Sequence, residues 1–224
     1  MKFPITYAVA LSLMVAAVSA QAQFSRLKGG TIAVSATEEF TTPLTNNATP
    51  LTAPVGTPPN ALSETITGQQ QGTTSKPGVL AQLGFHPVAW AGIELNYQFV
   101  QFDEQYNSQY SSQPGTQQYL RVPVAFHEAT AAYQFHPKHI KFQPYVNVGG
   151  GAVDFLPYLA NNQWRGAGLV ETGFDIPLMK SNHLAMRIQG RALIYRAPNF
   201  NNAAISTRGW VVTEEPTVGF AYHF

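Results

Sequence analysis

The chain of 224 residues contains no cysteine. That excludes a disulfide framework, thiolate chemistry and the lipidated cysteine of a lipoprotein. Charge is scarce as well: Asp, Glu, Lys and Arg together make up 11% of the residues, against about 25% in soluble domains. A third absence is a long apolar run, because no segment after the N-terminus approaches the ~18 uninterrupted apolar residues of a membrane helix. Nor is there a basic excess. Setting Lys2 aside leaves 12 basic and 12 acidic residues, and nothing points to a nucleic-acid partner. Tyr, Phe, Gly, Gln, Asn and Thr fill the places that charge leaves. Abundant aromatics, little charge and no long apolar run suit a chain whose residues alternate between lipid and an enclosed interior.

The first residues are of another kind. Lys2 is followed by the largely apolar stretch from Ile5 to Val18, then by small residues that offer cleavage after Ala20 or Ala22. This is the pattern of a secretory signal peptide over 1–22, too short for an anchor. Residues 23–224 are then expected to form the mature domain.

Period two runs through that domain. In Ala91 to Val100 the odd positions are Ala91, Ile93, Leu95, Tyr97 and Phe99, and the even ones Gly92, Glu94, Asn96, Gln98 and Val100. One face is apolar and the other mostly polar, as in a strand with unlike surroundings on its two sides. Leu184 to Tyr195 and Thr217 to Phe224 repeat the pattern. The alternation predicts eight strands, at roughly 29–39, 75–86, 90–102, 117–135, 140–155, 163–177, 184–196 and 208–224. Within 117–135 the apolar parity changes near Phe126 to Ala129, which predicts a β-bulge.

Short and long connections alternate between these strands. His86 to Ala89, His136 to His139 and Leu178 to His183 are short. Phe40 to Thr74, Asp103 to Thr116, Leu156 to Asn162 and Ala197 to Thr207 are longer. Short periplasmic turns and longer external loops are the mark of a transmembrane barrel. The expected fold is therefore all-β: an eight-stranded, antiparallel, up-and-down transmembrane β-barrel with both termini on the periplasmic side. The Thr-, Pro- and Asn-rich stretch at about 40–74 reads as a flexible external loop.

Two segments carry a family resemblance. Phe220, Tyr222 and Phe224 alternate to the last residue, and Pro144-Tyr145 precedes Gly149, Gly150 and Gly151. The first resembles the C-terminal signal of outer-membrane barrels, and the second the fifth strand of OmpA-like and related porin-family barrels. The resemblance implies outer-membrane localisation and recognition of the C-terminus by the barrel-assembly machinery, with periplasmic chaperones acting during biogenesis. OmpA itself continues into a peptidoglycan-binding domain. This sequence stops at Phe224, so a cell-wall tether is not expected.

In such a barrel Glu94, Arg121, Glu171, Arg187, Gln189 and Arg191 are expected to face the lumen, since a charge at the bilayer midplane costs ~2–4 kcal/mol. Glu171 is expected to pair with Arg187 and Arg191 on the next strand, as a plug holding the strands together or as a gate. His86, His136, His139, His183 and His223 fall at the periplasmic end, where scattered spacing argues for turn chemistry over a metal site. Trp90, Phe135, Tyr145, Trp164, Trp210, Tyr222 and Phe224 are candidates for interfacial girdles. Arg165, Arg196 and Arg208 lie toward the external rim, where lipopolysaccharide phosphates could meet them.

Some eight-stranded barrels are lipid A deacylases or palmitoyltransferases. Here Ser206 has no strand histidine beside it, and His127-Glu128 has no serine. The expectation is a non-enzymatic outer-membrane protein without cofactor or metal, in contact with membrane lipid and lipopolysaccharide, serving envelope integrity or surface interaction with at most minor pore activity. The competing classes are a soluble lipocalin-like carrier of an apolar ligand and a lipid A-modifying enzyme.

Overall fold

Alternate residues of an extended chain point to opposite faces, so each period-two segment can give one face to lipid and one to the interior. The computed structural model describes residues 29–46, 51–55, 62–110, 117–137, 142–158, 161–200 and 209–224. The segment 1–22 expected to be a signal peptide lies outside them, as do His139 and Arg208. The strands are β1 (Gly30–Glu38), β2 (Phe40–Thr41), β3 (Leu44–Asn46), β4 (Leu51–Val55), β5 (Leu62–Thr73), β6 (Pro77–Val88), β7 (Ala91–Tyr110), β8 (Gln117–Phe135), β9 (Pro144–Pro157), β10 (Gln163–Pro177), β11 (Leu184–Arg196) and β12 (Trp210–His223). No helix occurs among the described residues.

Eight of these strands close into a ring in the order β7, β6, β1, β12, β11, β10, β9, β8 and back to β7. Closure leaves no unpaired edge facing lipid. The register sets the geometry. From Ala185 the pairing passes through Ala221, Ala33, Gln82, Asn96, Thr130, Gly151 and Ala167 to Tyr195. One circuit thus returns to β11 ten residues higher, 195 minus 185. The strands of such a staggered barrel tilt by roughly 40°.

The outer wall exposes Ile93, Leu95, Tyr97, Val148, Val170, Ile194 and Val218, while Glu94, Gln98, Glu171, Arg187 and Arg191 are buried inside. A water-soluble carrier would reverse these faces. Trp164 and Phe174 are both exposed on β10, ten positions apart, as are Trp210 and Phe220 on β12. Ten residues at ~3.3 Å each, tilted by roughly 40°, climb about 25 Å. That is the height of the apolar band of an outer-membrane barrel. The aromatic pairs mark its two borders.

The expected bulge in β8 is absent. β7 and β8 pair without a shift from Ala91↔Phe135 to Gln109↔Gln117. Val124 and Phe126 therefore share the inner face with Glu128, Thr130 and Gln134. The change of parity in the sequence records a lumen that turns from polar to apolar along its length, not a change in the phase of the strand. A second difference lies at the long-loop end. β7 runs on to Tyr110, and its extension pairs with β5, which in turn carries β3 and β4. Part of the 40–74 segment is thus sheet built on the open edge of a strand that rises above the ring.

Candidate functional site: the charged lumen

Arg187 and Arg191 stand four residues apart on β11 and so share its inner face. The Nε and Nη2 of Arg187 each donate at 2.9 Å to one carboxylate oxygen of Asp175, and its Nη1 donates at 2.9 Å to Glu94. The Tyr145 ring lies beneath this guanidinium at 5.0 Å. Glu94 also accepts from Gln82 at 2.8 Å, Asn147 at 2.9 Å and Gln134 at 3.3 Å. A planar fork suits this bidentate work better than a point charge does.

The second layer centres on Arg191. It donates to Glu128 at 2.6 Å, to Glu171 at 3.2 Å, to the Gln98 carbonyl at 2.6 Å and to Glu215. The amide nitrogen of Gln98 donates to Glu39 at 2.9 Å and to Glu215 at 3.1 Å, and Thr130 donates to Glu128 at 2.6 Å. Both arginines and their acidic partners are buried, with side chains at most 2% exposed. Among the described residues of these two layers six carboxylates, Glu39, Glu94, Glu128, Glu171, Asp175 and Glu215, meet two guanidinium groups. Glu39, which neither arginine touches, is served by the Gln98 amide, and further amide and hydroxyl donors supplement the arginines at Glu94 and Glu128, as buried acceptors require.

Toward the long-loop end the lumen becomes apolar. Phe126 packs against Phe102, Phe155 and Tyr195 at centroid separations of 5.6, 5.2 and 6.2 Å, within a cluster that includes Val100, Val124, Val153, Leu193 and Val211. Phe200 covers this layer in the left-handed backbone region, φ 45°. Gln163 holds it there by accepting the N–H groups of Asn199 at 2.7 Å and Phe200 at 3.0 Å. Gln71 donates to the Pro198 carbonyl at 3.1 Å and to Glu104 and Tyr106 at 3.2 Å each. Polar plug, aromatic layer and loop cap fill the interior in succession.

At the short-turn end, His86 and His136 meet edge to face at 4.9 Å. His223 Nε2 lies 3.2 Å from Asp175, and Thr31 bonds its Nδ1 at 3.0 Å. Burial, with His86 beside it, draws the His136 imidazole down from 6.5 to about 4. His183 is exposed, with its Nδ1 2.8 Å from the His223 carbonyl. No group of three His, Asp or Glu side chains among the described residues is arranged to hold a metal ion.

Of the residues expected in the lumen, Glu94, Glu171, Arg187, Gln189 and Arg191 are there. Arg121 is not: it faces outward, exposed, against the Tyr119 ring at 5.1 Å, with its Nε donating to the Tyr119 hydroxyl at 2.8 Å. The unbroken register of β8 requires this. Six positions separate Arg121 from His127, the residue linked through Asp154 to Trp164 of the upper girdle. At that height an outward Arg meets no hydrocarbon, so nothing drives it inward. Tyr145 is a second correction: it is buried within the lumen and donates to Gln189 at 2.5 Å. Trp90, Phe135, Trp164 and Trp210 are exposed on the outer wall. Arg196 stacks on Trp210 at 5.1 Å, and Arg165 donates to the Trp164 and Asn199 oxygens.

Sequence reasoning overlooked Glu39, Glu128, Asp175, Glu215 and the amides of Gln82, Gln134 and Asn147, and put Gln98 on the polar face of its strand without naming it among the lumen residues. Strand parity was the signal for several of them. Glu128 alternates with Thr130 and Gln134, and Asp175 with Glu171.

No family model and no curated protein matches the chain. Solved structures do resemble it. The outer membrane protein OprG from Pseudomonas aeruginosa superposes with a TM-score of 0.52 at 13% identity, over 88% of this chain and 97% of that one. AlkL in lipid bilayers gives 0.44 at 14% identity, over 89% and 92%. The attachment invasion locus protein Ail of Yersinia pestis gives 0.38 at 9% identity, over 88% and 99%. With its closed ring of eight strands, apolar outer wall and charged interior, this chain has the fold of the small outer-membrane β-barrel proteins, among which OmpA-like is only an approximate label.

Proposed function

We propose that this chain is exported through its 1–22 signal peptide and resides in the outer membrane, short turns inward, as a sealed barrel serving envelope integrity or surface interaction. The observation that carries the reading is the pair of guanidinium layers, Arg187 and Arg191 with their acids, filling the cross-section below an aromatic layer. An eight-stranded barrel is just wide enough for its side chains to fill. The C-terminal Phe220, Tyr222 and Phe224 lie on the outward parity of β12, with Tyr222 ringed by His183 and Phe224 at 5.9 and 5.2 Å. In this reading they address the barrel-assembly machinery. An enzymatic role finds no support: Ala129, not a serine, stands two residues from His127 on the lipid-facing side.

Planar-bilayer recording tests the seal. The wild-type barrel is expected to give no single-channel steps. Replacing both Arg191 and Glu171 by Ser is expected to give small cation-selective steps, because most of the luminal acids remain. Regular steps from the wild type would show an open pore. Recovery of the chain as a soluble periplasmic monomer would end the outer-membrane reading altogether.

A further inference from the structure

Part of the lipid-facing wall is almost bare of side chains. On β8, β9 and β10 the outward positions Ala129, Ala131, Gly150, Ala152, Gly166 and Gly168 form a block two rows deep, joined by the pairs Ala129↔Ala152↔Gly166 and Ala131↔Gly150↔Gly168. The row below it is Tyr133, Val148 and Val170, all exposed. The row above is His127, Asp154 and Trp164. A trench three strands wide, about 10 Å at the usual strand spacing, therefore runs down the wall from the upper girdle.

Packing does not demand all of these small residues. A Cβ on Gly166 would meet nothing within 4 Å, and one on Gly168 would meet only the Ile194 carbonyl at 4.0 Å. Glycine weakens a strand interior unless something approaches it closely, and the open space here faces lipid. A second observation stands at the trench head. Asp154 is outward in parity yet only 7% exposed, and its Oδ1 has no hydrogen-bond partner among the described residues. Beside it the Tyr97 hydroxyl bonds His127 Nδ1 at 2.7 Å. A carboxylate oxygen left without a donor at the border of the hydrocarbon is costly unless a ligand supplies one.

We infer that this trench binds one lipid A molecule of the surrounding lipopolysaccharide, an acyl chain lying over Gly166 and Gly168 and the amide N–H or hydroxyl at the top of that chain donating to Asp154. The inference rests on the outer-membrane reading above. Glycerophospholipids present only ester carbonyls at this depth, which accept hydrogen bonds and cannot serve Asp154. An acylated amino sugar brings N–H and O–H donors there. Arg196, exposed beyond Tyr195 on the flanking strand, suits the sugar's phosphate. Among the described residues the hydroxyl beside His127 is that of Tyr97, whose oxygen is already bonded to it, so the site is read as one that binds and does not cleave.

Native mass spectrometry of the detergent-solubilised barrel, offered lipid A or phosphatidylcholine of matched chain length, tests this. Wild type is expected to retain one lipid A with about tenfold preference, the worth of one hydrogen bond to a charged group. Gly166→Leu with Gly168→Leu, which fills the trench, and Asp154→Ala, which removes the acceptor, should each abolish the preference while heat-modifiable migration on gels is kept. Equal retention of the two lipids by wild type would overturn the inference, as would undiminished lipid A on the filled trench. So would a cross-linked dimer that the Leu substitutions remove without changing lipid retention, since the face would then belong to a second copy. A wild-type chain with neither membrane partition nor heat-modifiable migration would overturn the outer-membrane reading as well, a result distinct from a folded barrel without lipid preference.

Discussion

Arg191 brings one guanidinium against carboxylates from β8, β10 and β12, so three strands depend on a single cation. Removing one partner of a buried pair costs about 3–5 kcal/mol, because the remaining charges stay buried and unsatisfied. Arg191→Met is expected to lower stability by that amount in urea unfolding followed by tryptophan fluorescence in vesicles, and Arg191→Lys should recover only part of it. Arg121→Met, on an exposed position above the girdle, should stay within about 0.5 kcal/mol. Similar midpoints for the two Met variants would contradict the plug. His136 offers a test by pH. Its folded value, about 4, lies below 6.5, so the unfolded chain takes up the proton first. Stability from this group is therefore level above about pH 6.5 and falls as pH drops toward 4. His136→Phe should flatten that limb in the difference between melting curves of variant and wild type; an unchanged slope would remove His136 as its source. The charges of Glu94, Arg187 and Arg191 were legible in the sequence because their strands alternate cleanly. The direction of Arg121 was not, because its strand changes chemical character without changing phase.

At the scale of elements, β8 and β9 approach closely where the glycines fall. A Cβ on Gly149 or Gly151 would lie 2.1 Å from the carbonyl oxygen of Ala131 or Ala129. Gly151→Val is therefore expected to break the β8–β9 ladder and abolish the heat-modified band on gels. Gly190→Val, where an added Cβ meets nothing within 4 Å, should leave the band intact. A folded Gly151→Val barrel would show that the wall can spread there. The bounds of β8, β10 and β11 could be read from alternation because each of these strands has lipid on one side and an enclosed interior on the other. β5 could not. Its Gln69, Gln70 and Gln71 pair with the extension of β7 where neither face meets hydrocarbon, so its sequence carries no period of two.

For the whole molecule, the girdles set a position in the bilayer that single substitutions can map. Val170 is exposed on β10 between Trp164 and Phe174, near the midplane. Val170→Arg should cost about 2–4 kcal/mol in vesicles, whereas Tyr119→Arg, beyond the upper border, should cost little. Equal, small effects at both sites would mean that the wall faces water. The sequence by itself determined the eight strands of the ring, their alternate faces and the pairing of long with short connections, since these follow from side-chain period and turn chemistry within a few neighbouring residues. Only the tertiary structure decided which acids meet which arginine, that the upper lumen is aromatic, and that Arg121 and Tyr145 exchange their expected sides. Those outcomes depend on closing the ring with a stagger of ten residues. Tilt then brings Glu94 of β7 to the height of Arg187 on β11, a relation that no single strand contains.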